Sequence, residues 1–210
     1  EAKSYLHRGL KVYFRESPKT PRVEFHHPGG IAEYLDKIVT EGGKALIPPS
    51  PFVYEKKESP RIEVALTWTE ATDESIRSFA NGIPTLSGGT HESGLKTAVN
   101  KAIRAFMATR GITVKGVTIS ADDIREGLVA LISVYLSEPQ FQGQTKDRLN
   151  NPEISAPVEA AVKTALEQWL LDGSKVAEAI VARIIVAARA REASRAASQQ
   201  VKRKSAVSHR

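Results

Sequence analysis

The sequence predicts an α/β protein of the α+β kind, and three observations predict it. Short segments alternate apolar and polar residues between turn-forming residues, the pattern of half-buried strands. Other segments repeat apolar residues every three or four positions, the pattern of amphipathic helices. One uninterrupted apolar run, GLVALISVYL at 127–136, is short and rich in Val, Ile and Tyr, which favours a strand buried on both faces.

In chain order, residues 10–15 (LKVYFR) and 23–26 read as two strands around a Pro-containing turn at 17–21. Gly29-Gly30 opens a helix with Ile31, Tyr34, Leu35, Ile38 and Val39 on one face, and Gly42-Gly43 ends it. Residues 52–57, 61–69 and 74–81 read as three strands joined by short turns, for which an antiparallel meander is the simplest pairing. Gly88-Gly89 leads into a helix over about 90–108, with Thr90 as its expected cap and Leu95, Ala98, Val99, Ala102, Ile103 and Phe106 buried. Ser120 with Asp122-Asp123 starts a short helical turn before the apolar strand, and 137–151 reads as a polar loop. A helix over 156–171 follows; Gly173 breaks it, and Ser174 is the expected cap of a last helix reaching roughly Lys204, ~45 Å long. The apolar face of that helix (Val176, Ile180, Ile184, Ile185) runs out near Arg189, so its second half must leave the globule or meet another chain. The expected division is an α/β domain over 1–172 and a long basic helix over 173–210.

A hydrophobic content of 41% over 210 residues supports one substantial core. No apolar run approaches the ~20 residues of a membrane-spanning helix, and the first residues do not read as a signal peptide. Without cysteine there is no disulfide framework, thiolate zinc site or Cys nucleophile, and a cytoplasmic protein fits best. The chain starts without Met and ends on Ser-His-Arg, so both ends read as cuts within a longer protein. The net charge of +6 is uneven: residues 173–210 carry nine Lys/Arg against two acidic residues, whereas the rest carries 21 basic against 22 acidic. Such a tail suits an anionic partner or an acidic neighbouring domain; a solvated, charge-rich helix explains it equally well.

The common enzyme constellations are missing: no GxSxG elbow, HExxH pair or GxxxxGK[ST] phosphate loop occurs. His26 and His27 would point to opposite faces of a strand and do not make a metal pair. Asp122, Asp123 and Glu126 are better explained by helix capping and the macrodipole than by Mg²⁺. No metal site is therefore expected. Three segments remain, NGIPTLSGGTHESGL at 81–95, SADDIREGL at 120–128 and PQFQGQTKDRL at 139–149. In the last, Gln144 and Lys146 sit on a polar loop, where a lysine is either an ordinary surface group or a point charge for a terminal phosphate. Lys96, Asn100 and Arg104 share one polar stripe of their helix.

Taken together, IPTLSGGTHESG, SADDIREGL, QFQGQTKDRL and IIVAARAREASRAA, with FHHPGGIAEYLDKI near the start, resemble the B subunits of bacterial type IIA DNA topoisomerases, DNA gyrase and topoisomerase IV. The resemblance covers essentially the whole chain and does not separate the two enzymes. It implies a two-layer transducer domain with a left-handed βαβ crossover, an exception to the usual right-handed rule. It further implies that the family's ATP-binding domain precedes Glu1 and its metal-binding Toprim domain follows Arg210.

On that resemblance, ATP is the cofactor of the full-length protein, with Mg²⁺ bound by domains outside this sequence and no cofactor in this segment. Gln144 and Lys146 contact the γ-phosphate, Lys146 with a catalytic role, and Lys96, Arg104, Arg189, Arg191 and Arg195, with Lys202–Lys204, are candidates to meet DNA. The partners implied are DNA, the cleavage subunit in an A2B2 assembly, the chain's own ATPase and Toprim domains, and a second copy of the same subunit when ATP binds. The DNA-cleaving tyrosine belongs to the cleavage subunit, so no tyrosine here takes that role. The competing readings are a stand-alone basic nucleic-acid-binding module and a dimerisation element.

Overall fold

The computed structural model describes the backbone of residues 1–207 and the side chains as far as residue 202. Its framework is a five-stranded mixed sheet in the order β3-β4-β7-β5-β6, built from β3 (Phe52–Lys56), β4 (Arg61–Trp68), β5 (Ser75–Ala80), β6 (Ile83–Pro84) and β7 (Leu128–Tyr135). Ahead of the sheet come α1 (Ala2–Leu6), the two-stranded ribbon β1 (Lys11–Phe14) and β2 (Val23–His26), and α2 (Gly30–Gly42). The remaining elements are α3 (Thr90–Thr109), α4 (Ala121–Arg125), a small hairpin of β8 (Phe141–Gln142) and β9 (Arg148–Leu149), α5 (Ser155–Asp172) and α6 (Ser174–Val207).

The meander expected for the three early strands does not form. Only β3 and β4 pair as neighbours; β7 lies between β4 and β5, antiparallel to the first and parallel to the second. The reason is burial. β7 is the most apolar strand, and at the centre both of its edges are hydrogen-bonded and both of its faces covered. The parallel β5–β7 pair then requires a long crossover, which α3 and α4 supply.

Period-two alternation divides the buried residues between two faces. Ile62, Val64, Leu66 and Trp68 of β4 and Ala130, Ile132 and Val134 of β7 join the main core with α3, α5 and the first half of α6. Ala65 and Leu131 face the other way, into a smaller cluster with Leu6, Ile31, Leu35 and Phe79 beneath α1 and α2. The core covered by α3, α5 and α6 is the larger of the two.

Local signals account for some of the helix ends. Ser120 caps α4 in a reciprocal box: its hydroxyl accepts from the Asp123 N–H at 3.1 Å, and Asp123 accepts from the Ser120 N–H at 2.7 Å. Gly173 ends α5, and α6 begins on Ser174, without a gap wide enough for a linker. Thr90 is not the cap of α3. Gly89 occupies that position with no side-chain cap, and the buried Thr90 hydroxyl has no partner. At 34 residues α6 is about 51 Å long. Ala187 and Ala188 are its last buried residues, as the loss of apolar residues near Arg189 requires.

The central place of β7 has a measurable consequence. Ile132 is fully buried between Val64 of β4 and Ser78 of β5. Ile132→Ala is expected to lower the unfolding free energy by about 2–5 kcal/mol. Phe14→Ala, on the exposed β1–β2 ribbon, is expected to stay within about 0.5 kcal/mol. Equal small effects in urea unfolding would rule out a central β7.

Candidate functional site

The segment expected to be an open polar loop is a hairpin. Phe141 pairs with Leu149 and Gln142 with Arg148, so Gln144 and Lys146 lie in the connecting turn, both exposed. Lys146 adopts a left-handed backbone (φ 58°), uncommon for a residue with a side chain. Its ammonium stands 5.7 Å from the centre of the Phe141 ring. A turn in this conformation persists only where its surroundings over-determine it.

Those surroundings come from the Ser87-Gly88-Gly89 turn that opens α3. The Ser87 N–H donates to the Asp147 carbonyl at 2.8 Å, and the Leu149 N–H donates to the Gly88 carbonyl at 3.1 Å. The Arg148 guanidinium donates to the Ser87 carbonyl at 3.0 Å. Gly89 (φ 146°) is obligatory here, because a Cβ would overlap the Leu149 backbone as well as needing an unfavourable φ. Two segments that the sequence separates by more than fifty residues thus form one unit.

The base of the hairpin is closed by Asn151, which is 1% exposed. Its Oδ1 accepts from the Gln140 N–H at 2.6 Å, and its Nδ2 donates to the Glu138 carbonyl at 2.9 Å and to Glu153 Oε1 at 2.7 Å. The bond from Asn151 holds the Glu153 carboxyl below the usual range. Sequence reasoning missed Asn151: only the Asn-Asn-Pro turn signal marked its place, and nothing indicated that the amide points inward.

Behind the glycine turn runs a buried polar chain. Thr85 Oγ1 lies 3.2 Å from His91 Nε2 and 2.7 Å from the Ser78 hydroxyl, which also donates to Glu92 at 3.1 Å. Burial pushes the His91 imidazole down to about 4, so it is neutral in the folded protein at pH 7. Its role was not read from the sequence, although it stands inside the SGGTHESG motif.

The cationic candidates separate into two groups. Lys96 bridges Glu74 at 2.8 Å and Glu92 at 3.0 Å, and Arg125 also pairs with Glu74, so Lys96 sits in a balanced cluster. Arg191 grips Asp123 with two bonds of 2.9 and 3.1 Å and also donates to the Thr118 carbonyl and to Glu192. Burial alone would raise the Asp123 carboxyl, but the bonds from Arg191 and Ser120 outweigh it and hold the group below its usual range. Arg104 is exposed and donates to the Ile119 carbonyl at 3.0 Å. Arg189 and Arg195 are exposed on α6, and no ion pair to either occurs among the described residues. Of Lys202–Lys204, only the Lys202 side chain lies within the described residues.

Among the described residues, no cluster of three or more His, Asp or Glu could hold a metal ion, and no helix is long and apolar enough to cross a membrane. His27 instead pairs with Glu33 at 2.7 Å and stacks on Tyr5 at 3.6 Å.

His91 carries a pH signature with a definite sign. Its folded value lies below the unfolded 6.5, so its contribution to stability is fully present above pH 6.5 and is lost as pH falls toward 4. The loss is about 1.4 kcal/mol per pH unit. Urea unfolding between pH 7.5 and 5 is expected to show a flatter profile for His91→Gln than for the wild type. Identical slopes would mean that His91 takes up its proton in the folded state.

A family model described as DNA gyrase B matches residues 30–200. The DNA gyrase B protein of Cytophaga hutchinsonii is 33% identical across 98% of this chain, and that of Rickettsia conorii 36% identical across 97%. The chain spans 44% of the first of these relatives and 26% of the second. Among solved structures, the 43K ATPase domain of Thermus thermophilus gyrase B superposes with a TM-score of 0.83 at 31% identity, covering 95% of this chain and 54% of that one. The topoisomerase IV ATP-binding domain of Francisella tularensis gives 0.77 at 32% identity, over 91% and 51% of the two chains. These similarities extend over both the sheet and the hairpin-bearing half of the molecule, and the chain belongs to the DNA gyrase B family.

Proposed function

We propose that this chain is the transducer segment of a type IIA topoisomerase of the gyrase B kind, and that it couples ATP binding and hydrolysis in an ATPase domain outside this sequence to DNA gate movement and strand passage. The observation that carries the reading is the hairpin: it presents Gln144 and Lys146 to the outside while its base is locked into the core by Gly89 and Asn151. Phosphoryl transfer needs positive charge where negative charge accumulates, and Lys146 is a compact cation at the end of a rigid support. The two solved relatives are themselves described as an ATPase domain and an ATP-binding domain, and the chain corresponds to roughly half of each.

In this reading ATP, with Mg²⁺, is held mainly by the neighbouring domain. Loss of the γ-phosphate contact on hydrolysis frees the hairpin and lets the domain rotate. The assembly would contain the cleavage subunit, a Toprim domain and a second copy of the full-length protein, in the cytoplasm. Arg104, Arg189 and Arg195 are the proposed contacts to DNA phosphate. Lys96 and Arg191 are left out of that set because acidic neighbours already engage them.

In the full-length protein, Lys146→Ala is expected to cut ATP hydrolysis about a hundredfold or more, since losing one preorganised donor costs ~3–4 kcal/mol. Unfolding free energy should change by no more than about 0.5 kcal/mol. Lys146→Arg should not restore full activity, because a planar fork does not replace a compact ammonium. Lys163→Ala, which breaks only an i,i+4 pair with Glu167 on α5, should be nearly silent. Hydrolysis and strand passage both near wild type in Lys146→Ala would falsify the transducer reading.

The DNA assignment has its own test. Replacing Arg104, Arg189 or Arg195 by Gln should each lower the slope of log affinity against log salt by about one unit. Slopes that stay at the wild-type value for all three would remove these residues from the DNA interface.

A further inference from the structure

We propose that Arg191 is a positioning residue that locks the long helix α6 to the body of the domain, so that movement of the hairpin-bearing core is carried into α6. The inference rests on the transducer reading above and adds the contact through which motion leaves the domain.

The contact sits where α6 loses its other hold on the protein. Ala187 and Ala188 are its last buried residues; Arg191 and Glu192 are half-buried, and every described residue beyond them is exposed. Apolar packing therefore ends just short of Arg191, which adds a further side-chain hold on the helix. Its guanidinium meets both oxygens of Asp123, a carboxylate whose side chain is only 2% exposed, and also the Thr118 carbonyl. A planar fork on a carboxylate fixes direction as well as distance, which a single contact does not.

Asp123 is itself immobilised, because it is the third residue of the capping box that starts α4. Two turns earlier on α6, Arg183 reaches the same region, donating to Glu126 at 2.8 Å and to the Ala71 carbonyl at 3.1 Å. From α4, the chain Arg125–Glu74–Lys96–Glu92 runs to Ser78 and the start of α3, where the glycine turn grips the hairpin. Ion pairs and hydrogen bonds on either side of the short helix α4, joined through its backbone, thus connect the hairpin support to the point where α6 leaves the domain, and Arg191 is the last member.

The experiment uses the full-length protein assembled with its cleavage subunit and reads strand-passage events per ATP hydrolysed for Arg191→Gln, Asp123→Asn and the double variant. Asp123→Asn keeps an acceptor for the Ser120 N–H, and the double variant leaves no unpaired buried charge, so folding survives in at least these two. All three are expected to hydrolyse ATP within about twofold of wild type. Passage per ATP should fall at least tenfold, by the same factor in each, because a single interaction is lost.

Three results would overturn the clamp. The first is an unchanged ratio. The second is a double variant that regains the wild-type ratio along with its stability, which would make the pair merely structural. The third is a defect in Arg191→Gln with a silent Asp123→Asn, as a DNA ligand would give. Lys146→Ala, run beside them, separates the failures: if it keeps hydrolysis the transducer reading falls, whereas if it loses hydrolysis and the ratio stays intact only the clamp does.

Discussion

The pairing of β7 on both edges is the constraint on which the rest of the molecule depends. A strand with LVALISVY as its whole content cannot be left at a sheet edge without exposing apolar side chains and unpaired backbone. Placing it between β4 and β5 separates two strands that are neighbours in sequence and makes one of its pairings parallel. The parallel pairing demands a crossover, and α3 with α4 is that crossover. Everything that follows β7, including the hairpin, therefore emerges beside the start of α3 rather than at the far side of the sheet. The proximity of the hairpin to the glycine turn is in this sense a by-product of burying one strand.

That topology also explains why the four sequence motifs come in two spatial pairs. SGGTHESG meets QTKDRL through Gly89 and Leu149, where two backbones approach too closely for a Cβ. SADDIREG meets IIVAARARE through Asp123–Arg191, with Glu126 pairing to Arg183 just ahead of the second motif. The first junction is made of backbone hydrogen bonds and shape, the second of charge-assisted bonds to side chains. The difference suits their positions. The first is tightly packed against Leu149, a core residue, whereas the second lies at a partly open cleft, where ion pairs lose less of their hydration.

Much of the fold was legible, and the exceptions share a cause. Helix spans, the buried strand and the stop at Gly173 follow from periodicity and capping, which act over a few residues. The meander failed because strand order depends on a competitor, β7, that lies about fifty residues later in the chain. Thr90 failed as a cap because the packing of Gly89 on Leu149 set the turn geometry first. The hairpin was hidden since β8 and β9 are two residues each, too short for any alternation to show. At the candidate site, Gln144 and Lys146 are singled out by the resemblance of their motif, and the structure places both in the exposed turn of the hairpin. Asn151 and His91 act through buried hydrogen bonds that have no periodic signature.

Charge is where composition misleads most. The excess of basic residues over 173–210 suggests a uniformly cationic arm. Within it, Arg183 and Arg191 are neutralised by Glu126 and Asp123, which the count assigns to the rest of the chain. Part of the tail's positive balance and part of the body's negative balance therefore cancel across one interface, and they do so where the helix must be held. Among the described arginines of that helix, Arg189 and Arg195 stay exposed and outside these ion pairs. A charge asymmetry between two parts of a chain is thus evidence first about how those parts bind each other, and only in its remainder about what either binds outside.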